Sequence, residues 1–342
     1  MWLWDLHANI WGERGARSTI VDDVLATQES KRITHLAVGS VPVMSERALV
    51  LGGAGAAGNA WLIGVIAGLF EAGLDVTEAD LTIGTSAGST AAAQITSGTR
   101  PTELLAEILA AETQPQTAPA GSDGGRVPIG PAVNHMEITS AIMGAAADAA
   151  DMRRRMGAAA LETDAASHSS AQTQWRATVA ARLPSRLWPQ RRMLIPAVDA
   201  HTGEPVVFDR DSGVDLVDAV AASTSNGFGV PPYSIGDRRY INGGYRRNEN
   251  ADLAAGYARV LVLSPFGGRS RHPLNWGMHL ATQVEELRGR GSSVETIFPD
   301  SNSQEALGGG MNVMDLSRRR PSAQAGYDQG RAIAGQLTKF WR

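Results

Sequence analysis

Apolar residues in this chain fall into short blocks and helical stripes separated by glycine-rich steps. After Met44, the polar Ser45-Glu46-Arg47 leads into Ala48-Leu49-Val50-Leu51, an apolar run bounded by glycine that predicts a buried strand. Gly52 to Gly58 follow, with Asn59 as the expected N-cap of a helix. Leu62, Val65, Ile66, Leu69 and Phe70 recur at helical spacing, and Gly73 suits the position just past the helix end. A second unit repeats the pattern: strand Leu81-Thr82-Ile83, turn Gly84-Thr85-Ser86-Ala87-Gly88, and an Ala-rich helix from Ser89 to Thr96 that stops near Gly98. Two strand–loop–helix units in succession predict parallel strands with helical crossovers.

Further on, Met193 to Val198 predicts a strand, Val214 to Ala222 a helix, and Tyr233 to Ile241 a hairpin turning at Gly236-Asp237. Val260 to Leu263 and Val294 to Ile297 predict the last core strands, and Ala323 to Trp341 a closing helix. Residues 113–133 are rich in Pro, Gly, Ala and Ser and predict a loop. Residues 136–165, with Met136, Ile138, Ile142, Met143, Met152 and Met156 among alanines, predict helix. Together 113–165 form an insert, read either as a packing subdomain or as a lid, since methionine-rich surfaces adapt to varied ligands. Residues 1–43 lack sustained periodicity and are set apart as a leader or arm, so the folded domain is expected over 44–342.

Composition narrows the choice. Of 342 residues, 43% are apolar and 19% charged, which suits a sizeable core and excludes disorder; the net charge of −4 gives no general basic surface for nucleic acid. There are no cysteines, so disulfides, thiolate metal sites and a cysteine nucleophile are excluded. No apolar run reaches the length of a membrane span, and Met1-Trp2-Leu3-Trp4-Asp5 carries acid where a signal peptide needs a basic segment. The expectation is a soluble cytoplasmic protein.

Two glycine signatures carry candidate chemistry. Gly53-Ala54-Gly55-Ala56-Ala57-Gly58 fits GxGxxG between strand and helix, as in a dinucleotide site, with Asp75 at the distance of a ribose contact. Gly84-Thr85-Ser86-Ala87-Gly88 fits GxSxG at a strand-to-helix junction, where Gly84 and Gly88 let the chain turn sharply and present Ser86 beside a helix N-terminus. The alternative for Ser86 is a plain helix cap. The histidines have no metal spacing, and His272 or His279 could complete an ordinary Ser-His-Asp arrangement. Arg153-Arg154-Arg155 and Arg318-Arg319-Arg320 read as solvated faces, the first also as a contact for anionic lipid head groups.

In order, the glycine loop, the GxSxG serine and Asn242-Gly243-Gly244 make the chain resemble the patatin-like phospholipases. The strings LVLGGAGAAGNAWLIGVI, IGTSAGS and AASTSNGFGVPPYSIGDRRYINGGYRRN carry the likeness, over about Arg47 to Pro265. The resemblance implies a three-layer α/β sandwich with a mainly parallel central sheet, and a serine hydrolase of the esterase, lipase or phospholipase A type. Ser86 would be the nucleophile of a Ser–Asp dyad, Gly53, Ala54 and Gly55 would line the oxyanion hole, and no metal or organic cofactor would be needed. Its expected partners are lipid or ester substrates and, transiently, a membrane surface.

Four departures stand out. Ala54 replaces the middle glycine of the family's GGG, Ala57 replaces an arginine, and Gly227 replaces a proline. Asn242 occupies the position of the dyad aspartate, and a neutral amide cannot take the serine proton as a carboxylate can. Asp209, Asp211 and Asp237 are not evident substitutes. Three accounts stay open at this point: a competent hydrolase disabled by one change, weak activity through another base or a water, and a silent binding protein that keeps the pocket. Deamidation at Asn242-Gly243 would restore an aspartate.

Overall fold

Every residue of the first strand, β1 (Arg47–Leu51), is buried after Arg47, and successive side chains enter different cores. Leu49 and Leu51 pack with Trp61, Ile63 and Ala91, whereas Ala48 and Val50 pack with Tyr257, Val284 and Leu287. A strand with both faces covered is the signature of a three-layer α/β arrangement. A computed structural model of the chain describes residues 46–111, 135–164, 170–310 and 313–342. The segment 1–43, the expected start at Met44 and the loop 113–133 lie outside the described residues.

The other strands are β2 (Leu81–Gly84), β3 (Arg192–Asp199), β4 (Pro205–Phe208), β5 (Tyr233–Ile235), β6 (Arg238–Asn242), β7 (Arg259–Leu263) and β8 (Ser293–Ile297). They form one mixed sheet in the order β5-β6-β3-β2-β1-β7-β8, with β4 pairing β3 off that line. β3-β2-β1-β7-β8 run parallel, with Ala48 opposite both Leu81 and Val260; β4, β5 and β6 are antiparallel to their neighbours. The helices are α1 (Gly55–Glu71), α2 (Ala87–Ile95), α3 (Pro101–Ala110), α4 (His135–Ala145), α5 (Ala149–Asp164), α6 (Ser170–Ala180), α7 (Leu216–Thr224), α8 (Leu280–Gly289), α9 (Ser301–Ala306) and α10 (Arg319–Trp341).

β3 positions the site. Its first residues, Arg192 to Leu194, pair with β2, whereas Ala197 to Asp199 pair with β6 and set Asn242 opposite Ala197. Pro196, which has no N–H to donate, occupies the step between these partners. One strand therefore holds both the segment that leads to Ser86 and the segment that ends in Asn242.

α1 and α10 cross at close range. A Cβ added to Gly64 would lie 2.1 Å from the Ala323 carbonyl oxygen, and one on Gly330 would lie 2.2 Å from that of Val65. Trp61 Nε1 donates to Gln329 Oε1 at 3.2 Å inside this contact. The α5 part of the insert packs as tightly: a Cβ on Gly157 would lie 2.1 Å from the Ala200 carbonyl oxygen, Arg153 Nε donates to Gly203 O at 2.8 Å, and Arg239 pairs with Asp164.

Two expected boundaries shift. Asn59 is not the N-cap of α1; the helix starts at Gly55, and the Asn59 amide lies inside it, donating to Gln94 Oε1 at 2.9 Å. Helix α2 begins at Ala87, directly after Ser86. The run 136–165 divides into α4 and α5.

Candidate active site

Ser86 leaves β2 with φ 53° and ψ −123°, a backbone conformation that costs an L residue on the order of 1–3 kcal/mol. The flanking glycines make the bend possible by close approach. A Cβ on Gly88 would lie 2.0 Å from the Leu51 carbonyl oxygen, and one on Gly84 would lie 2.5 Å from that of Gly88. The Ser86 N–H donates to Ser223 Oγ at 3.0 Å, which ties the bend to α7. Ser86→Gly is expected to be more stable than Ser86→Ala by about 1 kcal/mol, the reverse of the usual order, because only alanine keeps the strained Cβ. Urea midpoints of the two variants check this, and an alanine variant equal to or above glycine would contradict it.

The glycine loop lies against the serine. A Cβ on Gly53 would meet Ser86 Cβ at 3.0 Å. Ala54 has φ −172°, extended backbone open to any residue, so alanine replaces the family's glycine there without backbone strain. Of the residues expected to line the oxyanion hole, Gly53 has its N–H directed to Asn248 O at 3.4 Å, whereas the N–H groups of Ala54 and Gly55, and that of Ala87, have no hydrogen-bond acceptor among the described residues. The Ala57 N–H is taken by Val313 O at 2.9 Å, and the Ala57 side chain is fully buried, which leaves no room for the family's arginine. Gly227 adopts φ 84°, which proline cannot reach, with a Cβ there 2.6 Å from Ala160 Cβ.

Asn242 reaches Ser86 across 156 residues, and the direction of their hydrogen bond decides what the pair can do. Asn242 Oδ1 accepts from the Gly244 N–H at 2.8 Å, so the amide is held with Nδ2 toward the serine, and Nδ2 donates to Ser86 Oγ at 2.9 Å. A serine hydroxyl that accepts at this position is not being relieved of its proton. Deamidation finds little room here: attack of the Gly243 nitrogen on the Asn242 side chain requires the intervening peptide to turn, and a Cβ on Gly243 would lie 2.1 Å from the Pro196 carbonyl oxygen.

Three polar residues that carry no motif complete the site. Ser223 accepts from the Ser86 N–H as described. Asn250, in left-handed backbone at φ 56°, donates through Nδ2 to Thr85 Oγ1 at 3.0 Å and to Gly243 O at 3.2 Å, joining the serine turn to the asparagine turn. Glu249 is 2% exposed and accepts from Asn248 Nδ2 at 2.9 Å and Ser264 Oγ at 2.7 Å; burial still pushes its carboxyl above the usual range. A carboxyl raised on folding stabilises fully below its unfolded pKa of about 4.3 and loses that contribution as pH rises through the folded value. The melting temperature of the wild type is therefore expected to fall over that rise and that of Glu249→Gln to stay flatter, as thermal melts across pH would record.

The remaining candidates lie elsewhere. Asp75 precedes β2, at the end of the sheet opposite the glycine loop, and its carboxylate accepts from Thr77, so it is not a ribose ligand beside GxGxxG. His272 pairs with Ser270 and His279 Nε2 donates to His272 O at 2.7 Å; neither bonds to Ser86, and burial lowers His272 to about 4. Asp237 is at the β5–β6 turn, and Asp209 and Asp211 are in the loop after β4. Arg154 and Arg155 pair with Asp151, and Arg319 donates to Ala56 O and Asn59 Oδ1, so the arginine runs brace the structure. Among the described residues there is no group of three acidic or histidine side chains able to hold a metal, and no helix long and apolar enough to cross a membrane.

No curated protein matches the chain. Among solved structures, VipD from Legionella pneumophila aligns with a TM-score of 0.40 at 12% identity, over 85% of this chain and 67% of that one. The family model described as patatin-like phospholipase matches residues 49–255, a span that runs from β1 through the glycine loop, Ser86 and Asn242. This chain belongs to the patatin-like phospholipase family.

Proposed function

We propose that the chain is a carboxylic-ester hydrolase of lipid substrates in which Ser86 is the nucleophile and the general base is withheld by Asn242. The observation that carries this reading is the strained, glycine-flanked Ser86 held 2.9 Å from the side chain of residue 242. Strain of this kind persists only where surrounding structure enforces it, and it clusters where a side chain must be presented to a ligand. Ser86 Oγ would attack the acyl carbonyl, and the N–H groups of Ala54, Gly55 and Ala87, which have no acceptor among the described residues, would receive the developing oxyanion. The hydroxyl proton must leave during attack, and a carboxylate at 242 would accept it and return it to the leaving alcohol.

With the amide in place the serine has no base, so turnover is expected to be slow. The test is hydrolysis of p-nitrophenyl butyrate and octanoate by the wild type and Asn242→Asp, with Ser86→Ala as the blank. A gain confined to the aspartate variant supports the reading, and equal rates in both refute the role given to position 242.

A further inference from the structure

The buried carboxyl of Glu249 has no part in the acyl chemistry, yet it stands directly behind the glycine loop: a Cβ added to Gly52 would lie 3.3 Å from Glu249 Cγ. Asn248 and Glu249 together tie three segments around the serine. The Gly53 N–H of the glycine loop is directed to Asn248 O, and Thr85 Oγ1 of the serine turn donates to Glu249 O at 3.3 Å. Ser264, directly after β7, takes the Gly268 N–H on its Oγ at 2.9 Å and donates to Glu249 Oε1 at 2.7 Å. Glu249 Oε1 also accepts from Asn248 Nδ2 at 2.9 Å, which turns Asn248 Oδ1 toward the loop. A Cβ on Gly53 would lie 3.5 Å from that oxygen and 3.0 Å from Ser86 Cβ.

An amide oxygen could accept the same two bonds, so what sets a carboxyl apart here is that it can ionise. The groups that meet Glu249 are Asn248, Ser264, Gln283 of α8 and the backbone of Gly52, none of them charged. Arg246 and Arg247 of the same segment are engaged by Asp252 and Glu286, and His272 and His279 bond to Ser270 and to His272 O. Burial holds the Glu249 carboxyl above the usual range, so its uncharged form persists to higher pH than in an exposed glutamate. Once ionised, it opposes negative charge developing across the loop, and the effect is large because Glu249 is shielded from water.

We propose that Glu249 is the positioning residue of the glycine loop: uncharged, it fixes Asn248 and the end of β7 behind the loop, and ionised, it opposes the oxyanion that the loop would receive. The inference rests on the ester-hydrolase reading and adds to it the residue that sets the alkaline limit of the reaction. Glu249 touches no reacting atom, and the only bond it breaks is the one to its own proton, which leaves to solvent.

The experiment is the pH dependence of kcat and KM for p-nitrophenyl octanoate with Asn242→Asp, Asn242→Asp/Glu249→Gln and Asn242→Asp/Asn248→Ala. Ser86→Ala is the blank at each pH, and thermal melts confirm folding. Between about pH 5 and pH 9, kcat of Asn242→Asp is expected to fall about tenfold or more while KM holds, because the charge bears on the oxyanion and not on substrate binding. The Glu249→Gln double variant is expected to lose that fall, since its amide keeps an acceptor for Asn248 and Ser264 and cannot ionise. Asn248→Ala is expected to move the fall to higher pH, because it removes a donor that favours the ionised carboxyl. A flat profile for Asn242→Asp, the same fall in the Glu249→Gln double variant, a change confined to KM, or a midpoint that Asn248→Ala leaves in place would each overturn the inference and leave the hydrolase reading standing. No hydrolysis above the blank by Asn242→Asp at any pH would overturn both.

Discussion

Asn242→Asp is expected to raise ester hydrolysis by about 10²–10⁴-fold, the range over which a positioned general base contributes. The substitution is nearly isosteric. Oδ1 keeps its bond from the Gly244 N–H, and the atom that replaces Nδ2 becomes an acceptor at the same 2.9 Å from Ser86 Oγ. The serine hydroxyl then turns to donate, and the proton that blocked attack has somewhere to go. The backbone around residue 242 is fixed independently of its side chain: Asn242 N donates to Ser225 O at 2.7 Å, and the strand register places it opposite Ala197. Initial rates with butyrate and octanoate esters measure the gain. It should fall away as pH drops through the carboxylate's pKa, near 3.9 for an unperturbed aspartate, because only the ionised form accepts a proton.

Gly88→Ala is expected to destabilise the fold by about 3 kcal/mol or more and, in the Asn242→Asp background, to remove the restored activity. The added Cβ would lie 2.0 Å from the Leu51 carbonyl oxygen and 2.8 Å from that of Gly52. Neither is the end of a flexible side chain; both belong to the backbone of β1 and the glycine loop that follows it. Relief requires α2 to move away from β1, which shifts Ser86 from the loop N–H groups. Gly289→Ala in α8 serves as the control, since nothing lies within 4 Å of its Cβ and its φ is ordinary. That variant should be unchanged or gain up to about 1 kcal/mol from helix propensity. Denaturant midpoints and the ester assay distinguish the two variants.

The parts of this architecture that could be read from sequence are those enforced by local sterics and periodicity. β1, β2 and β7 are short apolar runs buried on both faces, and such runs are legible without tertiary information, whereas β8 buries Val294 and Ile297 and exposes Glu295 between them. The turn at Ser86 is legible for a related reason: GxSxG at a strand end spells out a bend that larger residues would block. The start of α1 was misplaced because Asn59, a good cap by composition, is used for a tertiary bond to Gln94, and Val313 O rather than a side chain serves the helix start. Ser223 and Asn250 were missed because their partners, the Ser86 N–H and Thr85 Oγ1, lie 137 and 165 residues away, and a single serine or asparagine carries no periodicity. The identity of residue 242 was plain from the resemblance, but the direction of its hydrogen bond was not. That direction depends on the Gly244 N–H, a backbone group that no residue letter records.

The crossing of α1 with α10 bears on the order in which this protein can be made. Trp61 and Gln329 are 268 residues apart, so at typical translation rates their contact waits roughly 13–54 s after the first of them emerges from the ribosome. Throughout that interval the glycine-notched face of α1 has no cover, and α1 is the helix that follows the glycine loop beside Ser86. The surroundings of Ser86 can thus reach their final shape only once nearly all of the chain has been synthesised.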